Sequence, residues 1–267
     1  MVKHTDEDLR GSTFERVDLS DSSFNRVRFR GADLRNVNFS GARVRGAAFY
    51  GARLDGVELC DVEITGDVSN LVINGVEVAS MIDAELNRRD PERVLIRPDD
   101  ADGFRRAWPI VRRRWDETMA RARSLPPAAL DERVDDEWSF IQTLRHLNFA
   151  SAAWVGRMLL GNPAPWHPLD LPWEEAPDWV DIPLDKGARP TLDEVVAVRV
   201  ERQAMVSEVI AALTDELLAD KVTRTEPGWP QEEDFPVIEC LRIVLIEEWE
   251  HRLYAERDLV RLEARSS

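Results

Sequence analysis

The sequence has few of the residues that mark several common classes of protein. Only two of its 267 residues are cysteines. Because Cys60 and Cys240 lie far apart in the chain, neither a disulfide framework nor a CxxC metal site is available. No run approaches the ~18 uncharged apolar residues of a membrane span, and the opening segment MVKHTDEDLRG lacks the apolar core of a secretory signal. We therefore expect a cytoplasmic protein that does not enter membranes.

Basic residues are also scarce, since 35 Lys and Arg stand against 51 Asp and Glu and give a formal net charge of −16. Such a charge argues against direct binding to nucleic acid. It could suit a protein that imitates DNA, provided that the charge lies on the imitating surface. Residues 1–67, however, hold ten basic and twelve acidic residues, a balance of only −2. The acidic excess therefore belongs to the remainder of the chain.

What the N-terminal region does have is an apolar residue at every fifth position. Two positions before each of these stands a small or β-branched residue, and the remaining positions are mostly polar. A short fixed period of this kind predicts a solenoid, in which stacked coils share a narrow core. The apolar positions are Phe14, Leu19, Phe24, Phe29, Leu34, Phe39, Val44, Phe49, Leu54, Leu59 and Ile64.

This stretch resembles the pentapeptide-repeat family, whose usual pattern is A(D/N)Lxx. The segment GADLRNVNFSGARVRGAAFYGARLDG carries the pattern, and the resemblance covers about residues 10–67. It implies a short right-handed quadrilateral β-helix with four pentapeptides in each coil, serving as a module that docks a protein partner. Some members of the family protect DNA gyrase by imitating DNA. The near-neutral repeat makes that the least favoured function here.

After Ile64 the five-residue period is lost. One or two strands and a short helix at about 80–89 are expected to close the open end of the solenoid. We place the first domain at 1–75 and the second at 76–267. Apolar spacing and helix stop signals predict four long helices in the second domain, and hence an all-α four-helix bundle. Their predicted bounds are 102–124, 137–161, 191–219 and 237–263.

Two connections between these helices are unusual. Residues 162–190 contain seven prolines and three tryptophans, a composition too apolar for a flexible linker. We expect these residues to form an ordered loop, the Pro/Trp loop, which either covers a site or only patches the bundle surface. Residues 224–236 are expected to join it at the same end.

A candidate metal site follows from three residues on two of the helices. Glu247 and His251 are four residues apart and project from one helix face, about 6 Å apart in rise. His146 on the second helix could complete a site of two imidazoles and one carboxylate with positions open for water or substrate. From spacing alone, a solvated Glu–His pair and a hydrogen-bonded core histidine are the more common interpretations of these residues.

The segments WSFIQTLRHLNFASAAWVGRMLLG and EEWEHRLYAERDL resemble the DinB/YfiT superfamily of four-helix-bundle proteins. Members typically bind a divalent metal through one His on the second helix and an HxxxH pair on the last. By position, the resemblance implies His146, Glu247 and His251 as ligands, with Glu247 standing where the family has His. A carboxylate still binds zinc, nickel, iron or manganese but shifts the preference toward harder ions.

Several members of that superfamily are thiol-dependent transferases or isomerases that use mycothiol or bacillithiol. The resemblance therefore implies a thiol co-substrate of low molecular weight and a small-molecule substrate. His167, in the Pro/Trp loop, could act as an acid or base, although an ordinary surface histidine is the alternative. The alternative hypothesis for the whole chain is a non-catalytic scaffold whose bundle has lost its metal. A homodimer is possible under either reading.

Overall fold

The structure is a computed structural model that describes residues 3–174, 176–179 and 182–266. The chain divides into two compact units, Met1–Thr65 and Gly66–Ser267. The boundary near residue 76 stays a prediction.

The first unit repeats its backbone conformation every five residues. A residue with positive φ recurs at this interval, as at Gly31, Asn36 and Gly41. Backbone hydrogen bonds close a turn every ten residues, for example from Ala32 N–H to Phe29 O at 3.0 Å. Over residues 3–65 the structure shows turns and bends without strands, and the apolar residues of the repeat are exposed. The four-sided β-helix therefore stays a prediction for this unit.

The second unit begins with a hairpin and a short helix, as expected from the sequence. Strands β1 (Val72–Ile73) and β2 (Val76–Glu77) pair antiparallel. Asn74 and Gly75 join them, both with positive φ, which is the conformation of a type I′ hairpin turn. Helix α1 (Ala79–Arg89) follows the hairpin.

The unit contains four long helices, and side-chain caps define where three of them begin. Asp100, Ser139 and Thr191 each accept a hydrogen bond from a backbone N–H of the first turn, and Ser139 and Thr191 belong to complete capping boxes. The second long helix changes to π-helix over Ala152–Leu159. The four are α2 (Ala101–Ala122), α3 (Phe140–Ser151), α4 (Leu192–Ala211) and α6 (Val237–Ser266).

These helices pack around one apolar core. Helix α6 contacts both α2 and α3, and α4 contacts the same two helices. Trp115 is buried in this core, and its indole N–H donates to the Glu248 carbonyl at 3.0 Å. The Glu248 carboxylate pairs with Arg199 at 2.6 Å, with both side chains at most 5% exposed. A polar connection therefore crosses the core from α4 to α6.

The third long helix is shorter than the sequence predicted. It ends at Ala211, and a separate helix α5 (Asp215–Ala219) begins where the Thr214 hydroxyl accepts from Leu217 N–H. The prediction of one helix to 219 was wrong because this cap starts a new helix. Strands β3 (Lys221–Arg224) and β4 (Glu232–Pro236) were also not expected, and they pair antiparallel with an irregular register. No helix in the described part of the chain is long and apolar enough to span a membrane.

Candidate metal centre

Two helices bring His146, Glu247 and His251 together. His146 lies on α3, while Glu247 and His251 lie one turn apart on the face of α6 that packs against α3. One potential ligand atom from each residue lies within 4.8 Å of the others. No other group of three or more His, Cys, Asp or Glu residues in the described ranges is as close.

The Glu247 carboxylate lies between the two imidazoles. Its Oε2 atom is 3.4 Å from His146 Nε2 and 3.2 Å from His251 Nδ1. This oxygen is buried and makes no hydrogen bond of acceptable geometry with the described residues. A buried carboxylate oxygen without a hydrogen bond is costly unless something else binds it.

Backbone carbonyls determine which nitrogen of each imidazole carries the proton. His146 Nδ1 lies 3.0 Å from the Leu171 carbonyl oxygen, and His251 Nδ1 lies 3.0 Å from the Glu247 carbonyl oxygen. A carbonyl can only accept, so Nδ1 is the protonated nitrogen in both rings. The Nε2 lone pair of each ring is then free to bind a cation. Metal-binding histidines usually have this arrangement.

Burial and neighbouring charges shift the pKa values of two residues of the site. Burial, together with the nearby His146, lowers the pKa of His251 to about 4. Burial acts to raise the pKa of Glu247, but the positive charge that the two imidazoles carry when protonated outweighs it, so the pKa is lowered. At neutral pH the centre therefore offers a carboxylate and a neutral His251 imidazole, which are the protonation states of metal ligands.

Comparison with known families places this centre inside a recognised domain. A family model for the DinB superfamily matches residues 110–255, more than half of the chain. The chain belongs to the DinB superfamily. A model for pentapeptide repeats matches residues 8–41 and 28–66, which confirms the two-family interpretation of the sequence. No curated protein and no solved structure gave a match.

All three clustered side chains lie within the part of the chain that matches the DinB model. Their neighbours include two aromatic side chains, Trp138 and Tyr254. The Trp138 ring centroid is 4.6 Å from that of His146 and 6.0 Å from that of His251. Tyr254 meets His251 edge to face at 6.0 Å. Trp138 directly precedes the Ser139 cap of α3, so the start of that helix fixes where its ring lies.

The Pro/Trp loop of the DinB domain is ordered around a second aromatic cluster. Phe149, one turn beyond His146, stacks on Trp166 of this loop at 5.2 Å and on Trp229 of the 224–236 segment at 5.3 Å. Trp173 of the loop also lies 4.8 Å from Trp229. The expectation that the two connections meet at one end is thus confirmed. The same loop supplies the Leu171 carbonyl to His146.

His167 also lies in this loop, half-buried, and no contact between described residues joins it to the three clustered side chains. Its Nδ1 accepts a hydrogen bond from Leu169 N–H at 3.1 Å, which leaves Nε2 as the nitrogen that carries the proton. A role as acid or base stays a prediction for this residue.

Proposed function

We propose that the DinB domain binds a divalent metal ion through His146, Glu247 and His251. One observation carries the proposal. In the neutral form of His146 that carries its proton on Nδ1, two acceptor atoms, His146 Nε2 and Glu247 Oε2, face each other at 3.4 Å without a proton between them. Two lone pairs at this distance repel unless a cation lies between them.

The donor set fits such an ion. Two ligands of a tetrahedral zinc ion, each about 2.0–2.2 Å from the metal, are themselves about 3.4 Å apart. Two imidazoles and one carboxylate leave a position free, as catalytic metal sites require and structural sites do not. Nickel, iron and manganese also accept this set, and the carboxylate of Glu247 favours the harder of these ions relative to a three-histidine site.

The activity we propose is transfer of a thiol of low molecular weight to a small electrophilic substrate. A bound divalent ion would lower the pKa of the thiol, so that thiolate is present at neutral pH. In the transfer, sulfur bonds to an electrophilic carbon, the leaving group departs with its bonding electrons, and the thiol proton leaves to solvent. Glu247 and the two imidazoles would hold their positions throughout, and His167 is the candidate to donate a proton to the leaving group.

The first test is elemental analysis of protein purified without a metal-chelating tag. Wild type should contain close to one metal ion per chain, and His251→Ala and His146→Ala should contain almost none. His167→Ala is the matched control, because it removes an imidazole from the same domain outside the cluster and should keep its metal. Wild type without metal, even after exposure to zinc, nickel, iron and manganese salts, would contradict the proposal.

The second test follows thiol transfer to a generic electrophile such as an aryl halide. If His167 donates the proton, His167→Ala should keep its metal but turn over more slowly. Activity that persists in His251→Ala would contradict a role for the metal in the transfer.

A second candidate function is that of a non-catalytic interaction protein, with the repeats binding a protein partner. It is favoured by Glu247, which stands where DinB proteins typically have histidine. Under this alternative, a partner would bind equally well to wild type and to the His146→Ala and His251→Ala double variant. Under the first proposal, the double variant loses both metal and activity.

A further inference from the structure

Arg145 directly precedes His146 on α3, next to the candidate metal centre, and it is completely buried. A buried guanidinium must satisfy its donors within the protein. Its donors reach three backbone carbonyls of the Pro/Trp loop rather than a carboxylate: Leu169 at 2.8 Å, Ala188 at 2.9 Å and Asp185 at 2.5 Å.

These bonds hold the segment of the loop that touches His146. Leu171 N–H donates to the Arg145 carbonyl at 3.2 Å, while the Leu171 carbonyl lies 3.0 Å from His146 Nδ1. The Arg145 side chain fixes Leu169, two residues earlier. The loop is thus attached to α3 at two points just before the Leu171 carbonyl that orients the imidazole.

We propose that Arg145 is a positioning residue for the metal centre. By holding the loop against α3, it keeps the Leu171 carbonyl against His146 Nδ1 and so keeps the His146 Nε2 lone pair directed at Glu247. The inference rests on the proposed metal site, but its first step, the choice of imidazole tautomer, is a property of the metal-free protein.

Arg157 provides a matched control on the same helical segment. It is equally buried, with 1% exposure, and it also donates to three backbone carbonyls: Pro230 at 3.0 Å, Pro163 at 3.4 Å and Glu226 at 2.6 Å. No described contact links these carbonyls to His146. Arg145→Met and Arg157→Met therefore remove the same chemical group and the same kind of hydrogen bond, but only Arg145→Met removes the bond to Leu169, two residues before Leu171.

The test combines NMR of the metal-free full chain with zinc titration. Long-range ¹H–¹⁵N spectra should show His146 protonated on Nδ1 in wild type and in Arg157→Met, with the signal assigned by its loss in His146→Ala. In Arg145→Met the Nδ1 tautomer should be lost, and the zinc dissociation constant should rise about tenfold or more. Arg145→Lys keeps a cation at the same place, so its zinc dissociation constant should lie between those of wild type and Arg145→Met. It replaces Arg145→Met in the test if that variant does not fold.

Three results would overturn the inference: a His146 proton on Nε2 in wild type, an unchanged tautomer and zinc affinity in Arg145→Met, or an equal loss in Arg157→Met. If wild type binds no zinc but the tautomer still depends on Arg145, the metal proposal fails while the positioning role holds. The two failures are therefore distinguishable.

Discussion

The two units of the chain place their apolar residues in opposite ways. In residues 3–65 the apolar side chains recur at a fixed interval and are exposed, with Phe14 and Phe49 both at 65%. In the helical unit they converge on one core, where Phe104 and Leu144 are completely buried. The repeat has no tryptophan, whereas all nine tryptophans of the chain lie between Trp108 and Trp249.

This difference shows which unit can form a site with perturbed titratable groups. A strictly periodic segment gives each side chain nearly the same surroundings, so no position differs enough to perturb a titratable group strongly. The helical unit instead joins residues about a hundred positions apart, and burial there shifts pKa values and leaves polar atoms without hydrogen bonds. Tryptophan fluorescence reports on the helical unit alone, which allows substitutions in the two units to be compared in one full-length chain.

The largest expected effect is loss of the buried Arg199–Glu248 pair. Glu248→Ala leaves the guanidinium of Arg199 buried and unpaired, which should lower the free energy of unfolding by about 3–5 kcal/mol. Urea unfolding followed by tryptophan fluorescence measures the change. The matched substitution Asp33→Ala, which breaks the exposed Asp33–Arg35 pair of the repeat, should leave that transition unmoved.

The double variant Arg199→Met/Glu248→Leu should regain most of the lost stability, because it removes both charges together. An unfolding free energy for Glu248→Ala within about 1 kcal/mol of wild type would mean that the ion pair does not stabilise the helical unit.

A smaller effect is expected from pH. Burial raises the pKa of Asp170 to about 6, partly offset by Arg202. Because the unfolded chain loses this proton near pH 4 and the folded chain near pH 6, the helical unit should lose up to about 3 kcal/mol of stability as pH rises between these values. In the repeat, the hydrogen bond from Ser20 lowers the pKa of exposed Asp18. Ionisation of Asp18 therefore stabilises the folded repeat as pH rises, which is the opposite sign to Asp170.

Asp170→Asn should flatten the dependence of unfolding free energy on pH between 4 and 6. Asp178→Asn, which changes an exposed aspartate of the same loop, should leave it unchanged. An equal slope in wild type and Asp170→Asn would show that another group dominates the titration.

The sequence predicted the helices well where local signals define their ends. Thr191 and Glu194 predicted the start of α4 because their capping box involves only neighbouring residues. The end of α4 was missed, although Thr214 carried a cap signal of its own. Strands β3 and β4 were missed because they are short, charged and irregularly paired, so no alternation of polar and apolar residues marks them.

The three residues of the candidate centre could be found from spacing and family resemblance, because the identity of a metal-binding side chain is visible in the sequence. The Leu171 carbonyl that orients His146 could not, because every residue has a carbonyl and only the folded loop brings this one to the ring. Trp138 likewise depends on the packing of α3 against α6. Sequence therefore indicates ligands, whereas their orientation depends on tertiary structure.

Substituting one glycine in each unit should have a smaller effect on the free energy of unfolding. Gly156 lies in the π-helix, and a Cβ there would come within 2.9 Å of Pro165 Cβ. Gly156→Ala should therefore cost about 1–3 kcal/mol through overpacking and shift the tryptophan-monitored transition. At Gly41 nothing lies within 4 Å, but φ is +72°. Gly41→Ala should cost about 1 kcal/mol through backbone strain, and Gly41→Asn should cost less.

Because Gly41 belongs to the repeat, its substitution should leave the tryptophan transition unchanged and appear only in far-UV circular dichroism or in faster proteolysis of residues 3–65. A shift of the tryptophan transition in Gly41→Ala would show that the two units unfold together.

The smallest effect on stability is expected at the cysteines, one in each unit. Cys60 is exposed, whereas Cys240 is completely buried and burial raises the pKa of its thiol to about 12. Because thiolate is the reacting form, a thiol reagent should label Cys60 in the native protein and Cys240 only after unfolding. Labelled Cys60 should leave the tryptophan transition unchanged, and Cys60→Ser should abolish the native reaction. Rapid labelling of Cys240 in native wild type or in native Cys60→Ser would mean that the core around Cys240 opens readily. The contrast between exposed side chains in the repeat and buried ones in the helical unit would then no longer hold.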